Sequence, residues 1–270
     1  MSKAFALFAA LLPFAAFGQF KIEPFDQPKP SSSEQSELVE KVRRKAIEYT
    51  KSLPNFLCTQ QTRRSAAKPT KANEEPAWKL VDALTIKLSF FDQEEKYKLA
   101  MINGKPAKKT MEQLTGGKWK GDFGSAMRSV FDPKSMAFFS WDHWGKVNGR
   151  VVAVLIYGID VKHAAFGTTF SQYGRSRHIN WGCEGQVVID VQTLEVLRLT
   201  VDSVDLPADS PVGEVHLVLD YVRQKVGDQE FLLPARSVSW SLTPNGRPQK
   251  SESLFTDYQK FSAESGIKFN

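Results

Sequence analysis

The stretch Cys183–Asp205, CEGQVVIDVQTLEVLRLTVDSVD, decides the fold. It holds two alternating runs, Gln186–Asp190 and Glu195–Val204, joined by the polar Val191-Gln192-Thr193. Successive side chains of a strand face opposite sides, so Val187 and Ile189 oppose Val188 and Asp190. In the second run Val196, Arg198 and Thr200 oppose Leu197, Leu199 and Val201. The pattern predicts an antiparallel hairpin with one buried face.

Working outward, further alternating runs could join the same sheet. Phe56–Arg64, Trp78–Phe90, a returning strand through Tyr97, Leu99 and Met101, and two strands around the Asn148-Gly149 turn precede the hairpin. Val215–Val222, Glu230–Leu242 and Leu254–Phe261 follow it. Asn103-Gly104 and Asn148-Gly149 are tight-turn dipeptides. Glu34–Ser52 reads as a helix with Leu38, Val42 and Ala46 on one face, capped by Ser32 or Ser33 and stopped by Leu53-Pro54. Phe123–Phe131 reads as a short inserted helix. No βαβ unit occurs, so a doubly wound parallel sheet is excluded.

The N-terminus carries a targeting pattern. Lys3 precedes the uncharged run Ala4–Phe17, and Ala16-Phe17-Gly18 places small residues before a cleavage point between Gly18 and Gln19. The run is shorter than the ~20 residues a membrane-spanning helix needs, so it reads as a cleaved leader rather than an anchor. The chain thus divides into a leader (1–18), a Pro- and Ser-rich linker (19–33) and a β-rich domain (34–270). The expected destination is the periplasm or the exterior. Export makes the two cysteines, Cys58 and Cys183, candidates for a disulfide. A bridge would close a long loop and contribute ~3–5 kcal/mol. The other reading is two separate buried thiols.

The formal net charge is +6, but the basic residues are scattered rather than gathered with stacking aromatics, which argues against nucleic-acid binding. His143, His163, His178 and His216 lack metal-ligand spacing, and no cysteine has a positioned base nearby in sequence. Asp142-His143 reads as a polar edge to an aromatic cluster, because strand neighbours face opposite ways. No catalytic residue, metal site or cofactor is assigned. The remaining candidate is an apolar groove lined by Trp78, Leu84, Phe90, Phe138, Phe139, Trp141 and Trp144. The same residues would also serve as a closed core.

The form Gly185-x-Val187-x-Ile189-Asp190-x-x-Thr193-x-x-Val196-Leu197-Arg198, following a leader and one amphipathic helix, resembles the outer-membrane lipoprotein carrier (LolA-like) superfamily and its RseB-like relatives. Leu53–Gln60, L-P-N-F-x-C-T-Q, resembles an element of bacterial envelope proteins. The resemblance implies a strongly curved antiparallel sheet, an unclosed half-barrel, with one long N-terminal helix and a short inserted helix covering its concave face. It also implies a non-enzymatic carrier that holds an acyl chain, a lipid or a lipoprotein segment. The alternative is a structural or protein-interaction module of the envelope with a filled core.

Overall fold

The computed structural model describes residues 20–69, 74–114, 123–172, 175–210, 212–243 and 245–261, with backbone alone at residue 50 and within 169–177. The leader and its cleavage point lie outside the described residues. In chain order the elements are β1 (Glu23–Pro24), α1 (Ser32–Ser52), β2 (Phe56–Ala66), β3 (Lys79–Phe91), β4 (Glu94–Ile102), β5 (Lys105–Pro106), α2 (Ser125–Phe131), β6 (Phe138–Val147), β7 (Arg150–Ile159), β8 (Gly167–Gln172), β9 (Arg175–Asn180), β10 (Gly182–Asp190), β11 (Glu195–Val204), β12 (Val215–Val226), β13 (Gln229–Leu242) and β14 (Pro248–Lys260). Twelve strands form one sheet in the order β1-β6-β7-β10-β11-β12-β13-β14-β2-β3-β4-β5, and β8 pairs with β9 in a separate hairpin. The ladders are antiparallel, and β1 and β5 remain at the two edges, so the expected unclosed half-barrel is observed.

Curvature has a local cause. Register shifts interrupt six ladders, including Val188/Ile189, Asp220/Tyr221 and Trp141/His143. Each bulge bends its strand and increases local twist. The predicted hairpin is β10–β11. Its turn is fixed by Asp190, whose Oδ1 accepts from the backbone N–H of Gln192 and Thr193. Asp190 is fully buried and its other oxygen meets Arg150 at 2.8 Å.

Gly185 explains the break in the β10–β11 ladder. A Cβ there would drive into the carbonyl of Thr200. Thr200 Oγ1 instead accepts from Gln186 N at 2.8 Å, and the Tyr157 hydroxyl donates to Thr200 O at 2.8 Å. Tyr157 is the β7 partner of Gly185, so its ring crosses the strand where no side chain stands.

Helix α1 is capped by Ser31, not by Ser32 or Ser33. Ser31 and Glu34 form a capping box, each side chain meeting the other's backbone N–H. Ser31 N donates to Glu34 Oε2 at 2.7 Å, and Glu34 N donates to Ser31 Oγ at 3.3 Å. Val42 and Ala46 are buried beside Met127, Val130 and Phe131 of α2 and the apolar residues of β7 and β10–β12. Two satellite clusters follow around the sheet. One holds Phe56, Phe90, Phe123, Leu233 and Phe255; the other holds Leu84, Ile86, Leu99, Met111 and Leu114.

Two segments differ from the sequence reading. Ala164–Gly182 holds the β8–β9 hairpin, closed at its base by the stacked Phe166 and Trp181 rings. The segment read as an extended or disordered linker is extended, as its prolines dictate, and docked. Phe20 lies 3.9 Å from the Arg198 guanidinium, and Phe25 lies 4.1 Å from the Lys146 ammonium. Ile22 fills the space a Gly145 side chain would need, and Trp144 Nε1 donates to Pro28 O at 2.9 Å.

Gly185→Ala is expected to lower stability by about 2–3 kcal/mol, because the added methyl must displace backbone. Tyr157→Phe, which leaves a carbonyl short of a donor, should cost about 1–2 kcal/mol. Urea-unfolding midpoints check both; wild-type midpoints would refute this account of the motif.

Candidate functional site

The predicted groove residues fall into three places. Phe139, Trp141 and Trp144 lie along β6. Phe139 stacks on Phe131 at 5.4 Å and lies 6.2 Å from Tyr157. Trp141 and Trp144 meet edge-to-face at 4.6 Å. Phe138 is 64% exposed, its ring resting in the notch at Gly158. Leu84 and Phe90 lie on β3, eight strand steps from β6, inside the two satellite clusters. Trp78 lies under the Lys250 ammonium at 4.9 Å. The structure therefore gathers the β6 aromatics and leaves the β3 residues apart from them.

Of the two readings of the cysteines, the disulfide is not observed: neither cysteine is bridged, and both are buried as separate thiols. Cys58 on β2 and Cys183 on β10 are separated by five strand steps and belong to different clusters. At ~4.8 Å per strand that is about 24 Å along the sheet, against a reach of about 7 Å between bridged Cα atoms. Burial pushes the Cys183 thiol up to about 12, opposed by its hydrogen bond with Tyr157 and aided by the Asp202 carboxylate.

Asp142 and His143 do meet, at 3.3 Å, because the bulge between Trp141 and His143 breaks the alternation. Asp142 also accepts from Gln186 Nε2. Asp202 is hydrogen-bonded to His216 Nδ1. Among the described residues no group of three or more His, Cys, Asp or Glu side chains is placed to hold a metal.

A pocket of about 320 Å³ opens where the second half of α1 leaves the sheet. Ala46, Leu53, Met127, Val196 and Leu232, all buried, form its apolar lining with Phe231. Tyr49 adds a wall, its ring edge-on to Tyr221 at 6.4 Å. The Tyr49 hydroxyl is buried with no hydrogen-bond partner among the described residues, and burial raises its pKa, so it stays protonated. Charged residues ring the mouth: Lys45 and Glu48 on α1, and Glu195, Arg223 and Glu230 on the sheet. Glu195 is buried and receives Arg223 Nη2 at 2.6 Å and Nε at 3.3 Å. The sequence reading passed over these residues. The available signal was Glu195, a carboxylate in an otherwise apolar strand start.

No family model matches the chain. No curated protein matches it. Two solved structures are similar in fold. A LolA superfamily protein from Nitrosomonas europaea is 9% identical with a TM-score of 0.44, covering 83% of this chain and 94% of that one. A DUF1329 family protein from Desulfovibrio piger is 11% identical with a TM-score of 0.37, covering 85% and 95%.

The thiol gives a pH dependence. The folded state holds the Cys183 proton more tightly than the unfolded chain, whose thiol titrates near 9.0. Its stabilisation is complete below pH 9 and is lost as pH rises toward about 12. The urea midpoint should fall between pH 8.5 and 10.5 more in wild type than in Cys183→Ala. Native protein should also resist thiol labelling until denatured. Equal slopes, or rapid native labelling of Cys183, would contradict the burial argument.

Proposed function

We propose that this chain is a non-catalytic, exported binding module that holds one apolar chain, from a lipid or an acylated protein, in the pocket under α1. The periplasm or exterior is its compartment, and residues 34–270 act as one β-rich domain. The observation that carries the reading is the pocket between α1 and the sheet, whose floor is apolar and whose rim is charged, in equal measure. Its volume of about 320 Å³ lies at the small end of the ~300–1,000 Å³ typical of ligand sites, which suits a single slender chain. Each buried methylene contributes ~0.8 kcal/mol, so ten give about 8 kcal/mol before the cost of immobilisation. That is useful affinity without any polar contact.

A second reading, a protein-interaction module with a filled core, is favoured at the β6 end. There Phe25 and Pro28 of the chain itself already stand against Lys146 and Trp144.

Native mass spectrometry of the exported chain, before and after organic delipidation, tests the reading. A removable adduct of lipid mass is expected. Ala46→Phe, which fills the pocket, should weaken re-binding of an acyl probe at least about tenfold while the protein stays folded by circular dichroism. A clean mass that stays clean after lipid addition would overturn the carrier reading and favour the interaction module.

A further inference from the structure

The charges at the pocket mouth are arranged in a way that an apolar chain alone does not use. The α1 wall presents Lys45 and Glu48, both exposed. The sheet wall presents Arg223 on β12 and Glu230 on β13, with Glu195 buried beneath Arg223. Each wall thus offers one cation and one carboxylate to whatever enters between them.

Arg223 is held ready by Glu195. The carboxylate takes Nε and Nη2, and Nη1 is outside that pair. The Arg223 side chain is 45% exposed against 9% for Glu195, so the guanidinium is pinned from below and open above. A pinned guanidinium suits phosphate oxygens, because little further side-chain freedom is lost on contact. Lys45 adds a second positive point on the facing wall.

The full ring counts two cations against three carboxylates, so the mouth is locally negative on a chain of net charge +6. A purely anionic head would satisfy Arg223 and Lys45 but face Glu48 and Glu230 unmatched. A purely cationic head would meet Glu48 and Glu230 but leave Lys45 and the outer side of Arg223 unmatched. We propose that the mouth selects a zwitterionic headgroup in which a phosphate lies beside a primary ammonium, as in phosphoethanolamine lipids. The phosphate meets Arg223 and Lys45. The ammonium, with three N–H donors, meets Glu48 and Glu230. The inference rests on the acyl-chain reading of the pocket and adds the identity of the head.

The test uses the delipidated exported chain and three probes with one common acyl chain: lysophosphatidylethanolamine, lysophosphatidylglycerol and the free fatty acid. Titration calorimetry should show the ethanolamine lipid binding about tenfold tighter than either anionic probe. The double variant Glu48→Gln, Glu230→Gln alters only exposed positions, and its folding is checked by its urea midpoint. It should bring the ethanolamine and glycerol lipids to within about twofold of each other. Equal affinity of wild type for all three probes would overturn the headgroup selection and leave the acyl pocket standing. Preference retained in the double variant would overturn the role of the two carboxylates. Binding of none of the probes would overturn the acyl pocket itself, and the headgroup proposal with it.

Discussion

One helix has to cover a sheet wider than itself, and much of the structure follows from that constraint. Helix α1 has 21 residues, about 31 Å at 1.5 Å per residue. Twelve strands at ~4.8 Å span about 53 Å along the sheet. Under α1 the apolar side chains form the largest cluster, with Val42 and Ala46 letting the helix come close. Beyond it, the sheet is covered by other means: aromatic packing around Phe123, and the Met111 and Leu114 segment over β3 and β4. The pocket lies at the boundary. Tyr49 touches both the first and second clusters, and Leu53 belongs to the second. An apolar space arises where coverage by the helix ends and the next cover has not begun.

The topology shows why both helices cross the concave side. β5 lies at one edge of the sheet and β6 beside the other, so the connection carrying α2 must cross between them. The connection carrying α1 likewise runs from β1 at one edge to β2 near the opposite one. Strand order is set by long-range pairing, which local alternation does not report. The sequence reading therefore found β11 to the residue and the second half of β10, and found β12 and β13, without their neighbours in space. It reached β14 only from Leu254, because Pro248–Ser253 is polar and, on its β2 side, pairs with the equally polar Thr62–Ser65. The β8–β9 hairpin was missed for a related reason: its Gly-, Ser- and Thr-rich sequence lacks the apolar alternation that marks a strand.

The site was less legible than the fold. Large aromatics drew attention because ligand cavities use them, yet Phe90 lies in a cluster filled by the chain's own rings. Lys45, Glu48, Arg223 and Glu230 look in sequence like any solvated surface. Only their position around one opening gives them common meaning, and that position joins α1 to β12 and β13 across more than 170 residues of chain. Gly185 and Asp190 were visible as a motif because their constraints are local: a backbone too close for a Cβ, and a turn whose two N–H donors need one acceptor.

The two ends of the sheet bear on its behaviour in a crowded compartment. Both terminal strands are two residues long, and each is a charged residue followed by proline: Glu23-Pro24 and Lys105-Pro106. Proline has no amide hydrogen to offer a further strand, and so short a rim gives an incoming backbone little to align with. A half-barrel could otherwise be extended indefinitely by strands from other molecules, since it never closes on itself. Here each rim blocks such growth over two residues, at Gly145 and Lys146 of β6 and at Met101 and Ile102 of β4. The sheet stays open for its helices, and four residues at its margins stand where a strand of another molecule would begin to pair.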